Sequence, residues 1–309
     1  MSYLTHLTLR LNAAVAGLPE EVRSRHAAYL ATAQADDGGF PGREGAGDLY
    51  YTSFGLRALA LLGALDDTAA VPAAAFLRRR LDPSLPAIDF LSWVISAVLV
   101  EMAADVDVFA DAGRDRRQTV IDFVERFRRP DGGYAKTERG GQGSTYHTFL
   151  VTLCKEMVGA PLDGAQRMVE LIRSRQRDDG GFVEVAPLRQ GGTNPTAAAV
   201  GLLRLLNALD ESIRASAGRF LAGMQTSEGG LRANGRIPMA DLLSTFTGLV
   251  ALHDVNAVAA IDTDAVLRFA QSLARPDGGF RAGHWDQEVD VEYTFYGLGT
   301  LGLLTAREG

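Results

Sequence analysis

Apolar residues recur along most of the chain at the three-to-four-residue spacing of helices, and they do so in two alternating styles. One style, seen from Gln118 to Arg128 and from Glu211 to Met224, keeps Arg, Glu and Gln on one stripe and predicts a helix with one face in water. The other is apolar on nearly every face. It runs from Tyr50 to Leu62, Asp89 to Met102, Thr145 to Val158, Thr196 to Leu206, Asp241 to Leu252 and Asp290 to Leu304. A helix of that kind is buried on all sides.

Five times the first style gives way to the second through a paired glycine: AQADDGGF, RRPDGGY, RQRDDGGF, QTSEGGL and ARPDGGF. Glycine takes the positive φ that ends a helix. The second glycines stand at 39, 133, 181, 230 and 279, so the last three gaps are 48, 49 and 49 residues and the first, 94, is two periods. A sixth, degenerate unit therefore sits near residue 85, in RRRLDPSLPAIDFLSWVISAVLV. After each turn comes a polar loop of about ten residues, then an Asp, Ser or Thr placed to cap the second helix.

Repeats of this length are the strongest guide to architecture. Six buried and six half-exposed helices in alternation predict an all-α fold, an (α/α)6 toroid of six helical hairpins in two concentric rings, as one domain over 1–309. An open solenoid needs polar end caps, and the last helix, FYGLGTLGLL, is as apolar as the rest. Two stacked bundles are the alternative.

Composition narrows function. The 309 residues are 47% apolar and 22% charged with a net charge of −7, which suits a packed core and not a polyphosphate partner. Local basic groups, Arg78 to Arg80 and Arg114, Arg116 and Arg117, read as solvated helix faces. A lone cysteine, Cys154, excludes an internal disulfide and a multi-cysteine zinc site. The N-terminal MSYLTHLTLRLN lacks the pattern of a signal peptide. Leu91 to Met102 is too short and too polar to span a bilayer. The expected location is the cytoplasm.

The G-G-aromatic turns, the period and the following inner helices resemble the repeat of protein prenyltransferase β subunits and of squalene–hopene-type (class II) terpene cyclases. The likeness covers roughly residues 20 to 306. It implies an isoprenoid or other hydrophobic small molecule held inside the ring, in secondary metabolism, near the N-terminal ends of the inner helices. Those ends carry Asp48, Tyr50 and Tyr51; Asp89 and Trp93; Tyr146, His147 and Thr148; Thr193 and Asn194; Asp241 and Ser244; and Asp290, Glu292 and Tyr293. Helix N-termini suit a diphosphate or a developing anion, while the Asp, Ser and Thr residues also serve as simple caps.

The prenyltransferase likeness implies a zinc held by Asp, Cys and His. Asp241 in IPMADLLSTFTGL matches the Asp, but Leu243 stands at the Cys and Tyr293 at the His. No zinc or other cofactor is expected. Arg232 and Arg236 lie near where that family keeps basic residues for the diphosphate. His147 and Cys154 share a helix seven residues apart, which reads as core packing ahead of a metal site.

The cyclase likeness implies an acid in a D-x-D-D-T-A motif, whose middle carboxyl delivers a proton to an alkene. Here Asp290 matches the first Asp, Glu292 the middle one and Thr294 the Thr. Tyr293 replaces the final Asp, so the hydrogen bond that primes the acid must come from elsewhere. Nearby Asp286 and Glu288 add negative charge, which raises a carboxyl pKa if the cluster points inward; an exposed acidic loop is the other reading. Tyr50, Tyr51, Trp93, Tyr146, Phe149, Phe246, Tyr293 and Tyr296 offer ring faces for a carbocation, or fill the core. The expected catalytic set is Glu292 as acid and Asp290 as its partner, with His147, Asp241 and Tyr293. Tyr50, Tyr51, Asp89, Trp93, Tyr146, Asn194, Arg232 and Arg236 are expected to meet substrate. Metal-independent cyclisation leads; prenyl transfer to an acceptor and a non-catalytic β-subunit-like module are the alternatives. A protein partner is left open.

Overall fold

The computed structural model describes residues 3–82, 84–111 and 115–305, so Arg114 and Pro83 lie outside the described residues. In chain order the α-helices are α1 (Tyr3–Ala16), α2 (Glu20–Ala33), α3 (Leu49–Leu61), α4 (Asp67–Arg80), α5 (Ala87–Ala104), α6 (Val108–Asp111) and α7 (Arg116–Val124). They continue with α8 (Thr145–Met157), α9 (Ala165–Ser174), α10 (Thr193–Leu205), α11 (Glu211–Ala222), α12 (Leu242–Asp254), α13 (Thr263–Leu273) and α14 (Val291–Thr305). Two-residue strands β1 (Phe280–Arg281) and β2 (Val289–Asp290) pair antiparallel, Phe280 opposite Asp290.

The six apolar stretches all form helices. Three of the boundaries that moved bear on the site or the turns. α5 starts at Ala87 behind Pro86, which presets the backbone ahead of the first turn, so Asp89 lies inside that turn rather than capping it. α10 starts at Thr193 behind Gly192. The helix expected from Gln118 to Arg128 is α-helical to Val124 and ends as one 3-10 turn, Glu125–Phe127.

Two compact units divide the chain. A terminal unit comprises residues 6–123 and 273–309, and a middle unit residues 1–5 and 124–272. In the terminal unit α14, α3 and α5 lie side by side, covered by α2 and α4. In the middle unit α8, α10 and α12 lie side by side, covered by α9 and α11. α5 is long and apolar enough to cross a membrane by composition, but half of it is buried within the protein, packed against α3 and α4. A core helix has that property too.

The turn at Gly180 shows how the paired glycines are used. At Gly180 φ is +86°, and an added Cβ would sit 2.6 Å from the Ser216 carbonyl oxygen of α11, so both conformation and space demand glycine. The Asp179 carboxylate accepts from the Gly181 and Gly191 N–H groups, fastening both ends of the loop. Gln176 donates to the Gly180 carbonyl and to Ser216 Oγ, tying the turn to the next helix.

The N–H of the residue after the glycines donates to a threonine on the following buried helix. The pairs are Phe40 to Thr52, Tyr134 to Thr148, Phe182 to Thr196, Leu231 to Thr245 and Phe280 to Thr294, at 2.8 to 3.2 Å. Within the terminal unit the last repeat docks on the first. α14 packs against α3, and the Gly278 turn abuts α2 so closely that an added Cβ would meet Tyr29 Cβ at 2.6 Å.

Candidate functional site

In the terminal unit the start of α14 carries two buried carboxylates. Asp290 caps the helix, its Oδ1 accepting from the Tyr293 N–H at 2.9 Å. Glu292, two residues on, is 8% exposed. The Tyr50 hydroxyl, from the start of α3, donates to Glu292 Oε1 at 2.7 Å, and Tyr296 donates to the same oxygen at 3.3 Å. The hydrogen bond missing at Tyr293 is thus supplied by tyrosines at other positions. Burial pushes the Glu292 carboxyl above the usual range, and the nearby Asp290 charge adds to the rise; the two tyrosine hydroxyls and Arg57 pull the other way without cancelling it. Asp290 is raised too, again by burial first, against its backbone hydrogen bonds and Arg43.

Arg43, from the loop before α3, clasps the acidic loop before α14. It bonds Asp286 and Glu288 and stands 3.7 Å from Asp290 Oδ2. The DQEVDVE segment is therefore partly neutralised: Asp286, Asp290 and Glu292 are buried and Glu288 is exposed. Beside Glu292, the rings of Phe54, Phe295 and Tyr296 meet edge to face, centroids 5.2 to 5.7 Å apart. The Arg57 guanidinium lies 4.0 Å over Phe54 and 4.6 Å over Phe295. Those ring faces thus already carry a cation. Tyr51 is half-buried, and burial, with Glu292 and Asp290 next, pushes its hydroxyl up. Asp89 is half-buried and raised by burial and Asp48. Trp93, expected to meet substrate, is fully buried in the core, its indole N–H donating to the Leu77 carbonyl.

In the middle unit α8 opens on a different set. Ser144 caps the helix, accepting from the His147 N–H. Its Oγ also lies 2.9 Å from His147 Nδ1, and its hydroxyl donates to Glu184 Oε1. Glu184 Oε2 accepts from the Tyr146 N–H. His147 is mostly buried, and desolvation, helped by Lys136, lowers its pKa to about 4. Asn194 on α10 accepts from Thr247 on α12 at 2.6 Å. Arg232 is half-buried and donates to the Gly223 carbonyl; Arg236 is exposed and donates to Gln190.

Asp241 spends both oxygens on Ser244: Oδ1 takes its N–H at 2.7 Å and Oδ2 its hydroxyl at 2.9 Å. Burial raises its pKa. The zinc that the prenyltransferase likeness implies does not fit these residues. Both Asp241 oxygens are taken by Ser244, Leu243 has no donor atom, and Tyr293 is no imidazole. Among the described residues no group of three or more His, Cys, Asp or Glu is placed to hold a metal ion. Cys154 is buried on α8.

The expected residues therefore fall into two units: Asp290, Glu292, Tyr50 and Tyr51 lie in one, and His147, Tyr146, Asn194 and Asp241 in the other. Arg43, Arg57, Ser144 and Glu184 were missed. Ser144 had a local signal, a serine three residues before a helical histidine. Arg43 and Glu184 had none, since their partners lie 243 and 40 residues away.

The Prenyltransferase alpha-alpha toroid domain family matches residues 3–86, 91–238 and 198–309. Protein farnesyltransferase subunit beta of Pisum sativum is 27% identical over 200 residues, 62% of this chain and 45% of that one. The Arabidopsis thaliana subunit is 24% identical over 237 residues, 73% of this chain and 46% of that one. The chain thus spans just under half the length of these relatives. Among solved structures, Candida albicans protein geranylgeranyltransferase-I complexed with GGPP superposes with a TM-score of 0.71 at 14% identity, covering 91% of both chains. The type II terpene cyclase MstE from Scytonema gives 0.58 at 17%, covering 98% of both. These two likenesses speak for the fold alone.

Proposed function

The chain belongs to the prenyltransferase α/α toroid family, and from that premise we propose that it is an enzyme that protonates an isoprenoid, with Glu292 as the acid. The observation that carries this is the buried Glu292 carboxyl, which burial and Asp290 hold above the usual range while two tyrosine hydroxyls fix one of its oxygens. An acid must keep its proton until the alkene arrives, and a raised pKa does that. In the step itself the Glu292 O–H bond breaks and a C–H bond forms at one alkene carbon. The other carbon is left positive, and Glu292 leaves as carboxylate, where the Tyr50 and Tyr296 hydroxyls stabilise the new charge. The Tyr296 ring, over which Arg57 does not lie, suits the cation. Asp290 assists by its charge and by holding the helix start. Tyr51 and Asp89 are the further terminal-unit residues for substrate contact. No metal enters this step.

The likeness to farnesyltransferase β subunits supports a second reading, prenyl transfer from a prenyl diphosphate held by Arg232 and Arg236, with or without a partner subunit. Incubation with prenyl substrates, analysed by mass spectrometry, separates the two: an isomeric cyclised product supports protonation, and a product with diphosphate lost to an acceptor supports transfer. Turnover by Glu292→Gln equal to the parent protein removes Glu292 from the mechanism.

A further inference from the structure

The threonines that hold the glycine turns put the buried helices in one register: Thr52, Thr148, Thr196, Thr245 and Thr294. Eight residues further along, α3 and α14 of the terminal unit carry Ala60 and Gly302, while α8 and α10 of the middle unit carry Glu156 and Arg204. Nine residues along, four helices carry Leu61, Met157, Leu205 and Leu303, and α12 carries Asp254. The repeat asks for an apolar side chain there, yet Asp254 is 3% exposed. A buried carboxylate–guanidinium pair adds little stability over packed apolar residues of similar volume, so folding alone does not account for this set.

These groups converge on one side chain. The Tyr3 hydroxyl donates to Asp254 Oδ2 at 2.9 Å, and Arg204 donates to Asp254 Oδ1. The Arg204 guanidinium stands 5.9 Å from the centre of the Tyr3 ring, and the Phe149 ring meets that ring edge to face at 6.4 Å. Gly201 leaves room for the hydroxyl: a Cβ there would come within 3.1 Å of it and 2.9 Å of the Phe149 ring. Glu156 accepts from the Tyr3 and Leu4 N–H groups at 3.2 and 3.0 Å, capping the first turn of α1 from a different helix. All of these residues belong to the middle unit. Tyr3 is only half-buried among them, and it sits in the first turn of its helix, the part that opens most readily.

We propose that the C-terminal ends of α8, α10 and α12 form a phenol-binding site, that Tyr3 is its built-in occupant, and that a free phenol displaces Tyr3 by taking over its bonds. The donors and acceptors select the class of ligand. The buried Asp254 oxygen calls for an O–H donor, Arg204 and Phe149 flank a flat ring, and Glu156 takes amide N–H groups. A phenol with an amide on its para substituent meets all three. An alkylbenzene of equal size leaves the Asp254 oxygen without its donor. The site does not depend on the acid chemistry proposed for Glu292.

Titration calorimetry on the full-length protein with p-cresol and toluene tests this. Tyr3→Ala is expected to bind p-cresol about 10- to 100-fold tighter than toluene, as a hydrogen bond to a buried charge provides. Asp254→Asn in the same background is expected to cut that preference by about 5-fold or more. Equal binding of p-cresol and toluene makes the socket a plain apolar void and overturns phenol recognition; a preference that Asp254→Asn leaves untouched overturns the role of the carboxylate. The parent protein is expected to bind p-cresol more weakly than Tyr3→Ala, because Tyr3 must leave first, and the proton NMR signals of the Tyr3 ring should move toward those of an exposed tyrosine as it does. No binding by the parent protein at about a hundredfold above the Tyr3→Ala dissociation constant overturns displacement. Tyr3→Phe keeps the ring and loses only the hydroxyl, so it serves where Tyr3→Ala does not fold. It is expected to bind p-cresol about 10-fold tighter than the parent protein, and an affinity equal to the parent's overturns the competition for Asp254.

Discussion

The start of α14 and the start of α8 occupy equivalent places in two repeats, and each puts a titratable side chain just inside a helix cap. At α14 the group is an acid, Glu292, and the tyrosine that bonds it comes from the neighbouring helix α3, 242 residues away. At α8 it is a base, His147, and its serine comes from the cap of its own helix. Burial moves the two pKa values apart, raising the carboxyl and lowering the imidazole. In both cases desolvation suppresses the charged form. Burial thus favours the protonated carboxyl on one side and the neutral imidazole on the other.

Replacing Glu292 by Gln is the heaviest blow to that contrast. Turnover of an isoprenoid should fall about 10²- to 10⁴-fold while far-ultraviolet circular dichroism stays unchanged.

The shared frame can be broken equally in either unit. Gly180→Ala puts a side chain at φ +86° and 2.6 Å from a carbonyl oxygen, and should cost on the order of 2–4 kcal/mol in urea unfolding. Thr196→Val, which orphans the buried Phe182 N–H, should cost about 1–3 kcal/mol by the same measurement. Thr294→Val should do the same beneath Glu292.

Acid acts on both units more gently. His26 and His147 have folded pKa values near 4, below the unfolded value, so the unfolded chain binds more protons between pH 6.5 and 4. Their contribution is intact above that window and is lost through it, up to about 3 kcal/mol each. The raised Asp241, Asp290 and Glu292 change stability in the opposite sense, because their folded forms take up protons first. Proton NMR of the two imidazoles should show midpoints near pH 4; midpoints near 6.5 would contradict the burial.

The smallest effects lie in the pH–rate profile. An acid with a raised pKa gives a rate that falls as pH rises through that pKa. Tyr50→Phe removes a hydrogen bond that favours the carboxylate, so the fall should move to higher pH. Asp290→Asn removes a like charge, so it should move to lower pH.

The frame was readable because its signals are local. A glycine at positive φ, an Asp or Glu two residues before the second glycine and an apolar stretch beyond all sit within one repeat, and five copies agree. The threonine on the buried helix is equally local, yet it looked like a site residue or a cap, and its bond to the turn became visible only in three dimensions. The acid pair Asp290 and Glu292 was legible through family likeness. Its supports were not, because Arg43 and Tyr50 reach it from the far end of the sequence, where spacing carries no information. Trp93 shows the opposite limit: an aromatic at a helix start has the same pattern whether it faces a ligand or the core, and here the Leu77 carbonyl decided for the core.

The docking of α14 on α3 also has a consequence for how the chain comes to fold. On a ribosome α14 emerges after α3 with α4 to α13 between them, so one flank of an apolar helix waits through all of that stretch before its partner exists. Contacts that bridge so much sequence form late and slowly. The terminal unit therefore cannot finish folding until α14 has been made, and the proposed acid site, whose carboxyl and tyrosine sit on those two helices, is assembled only then.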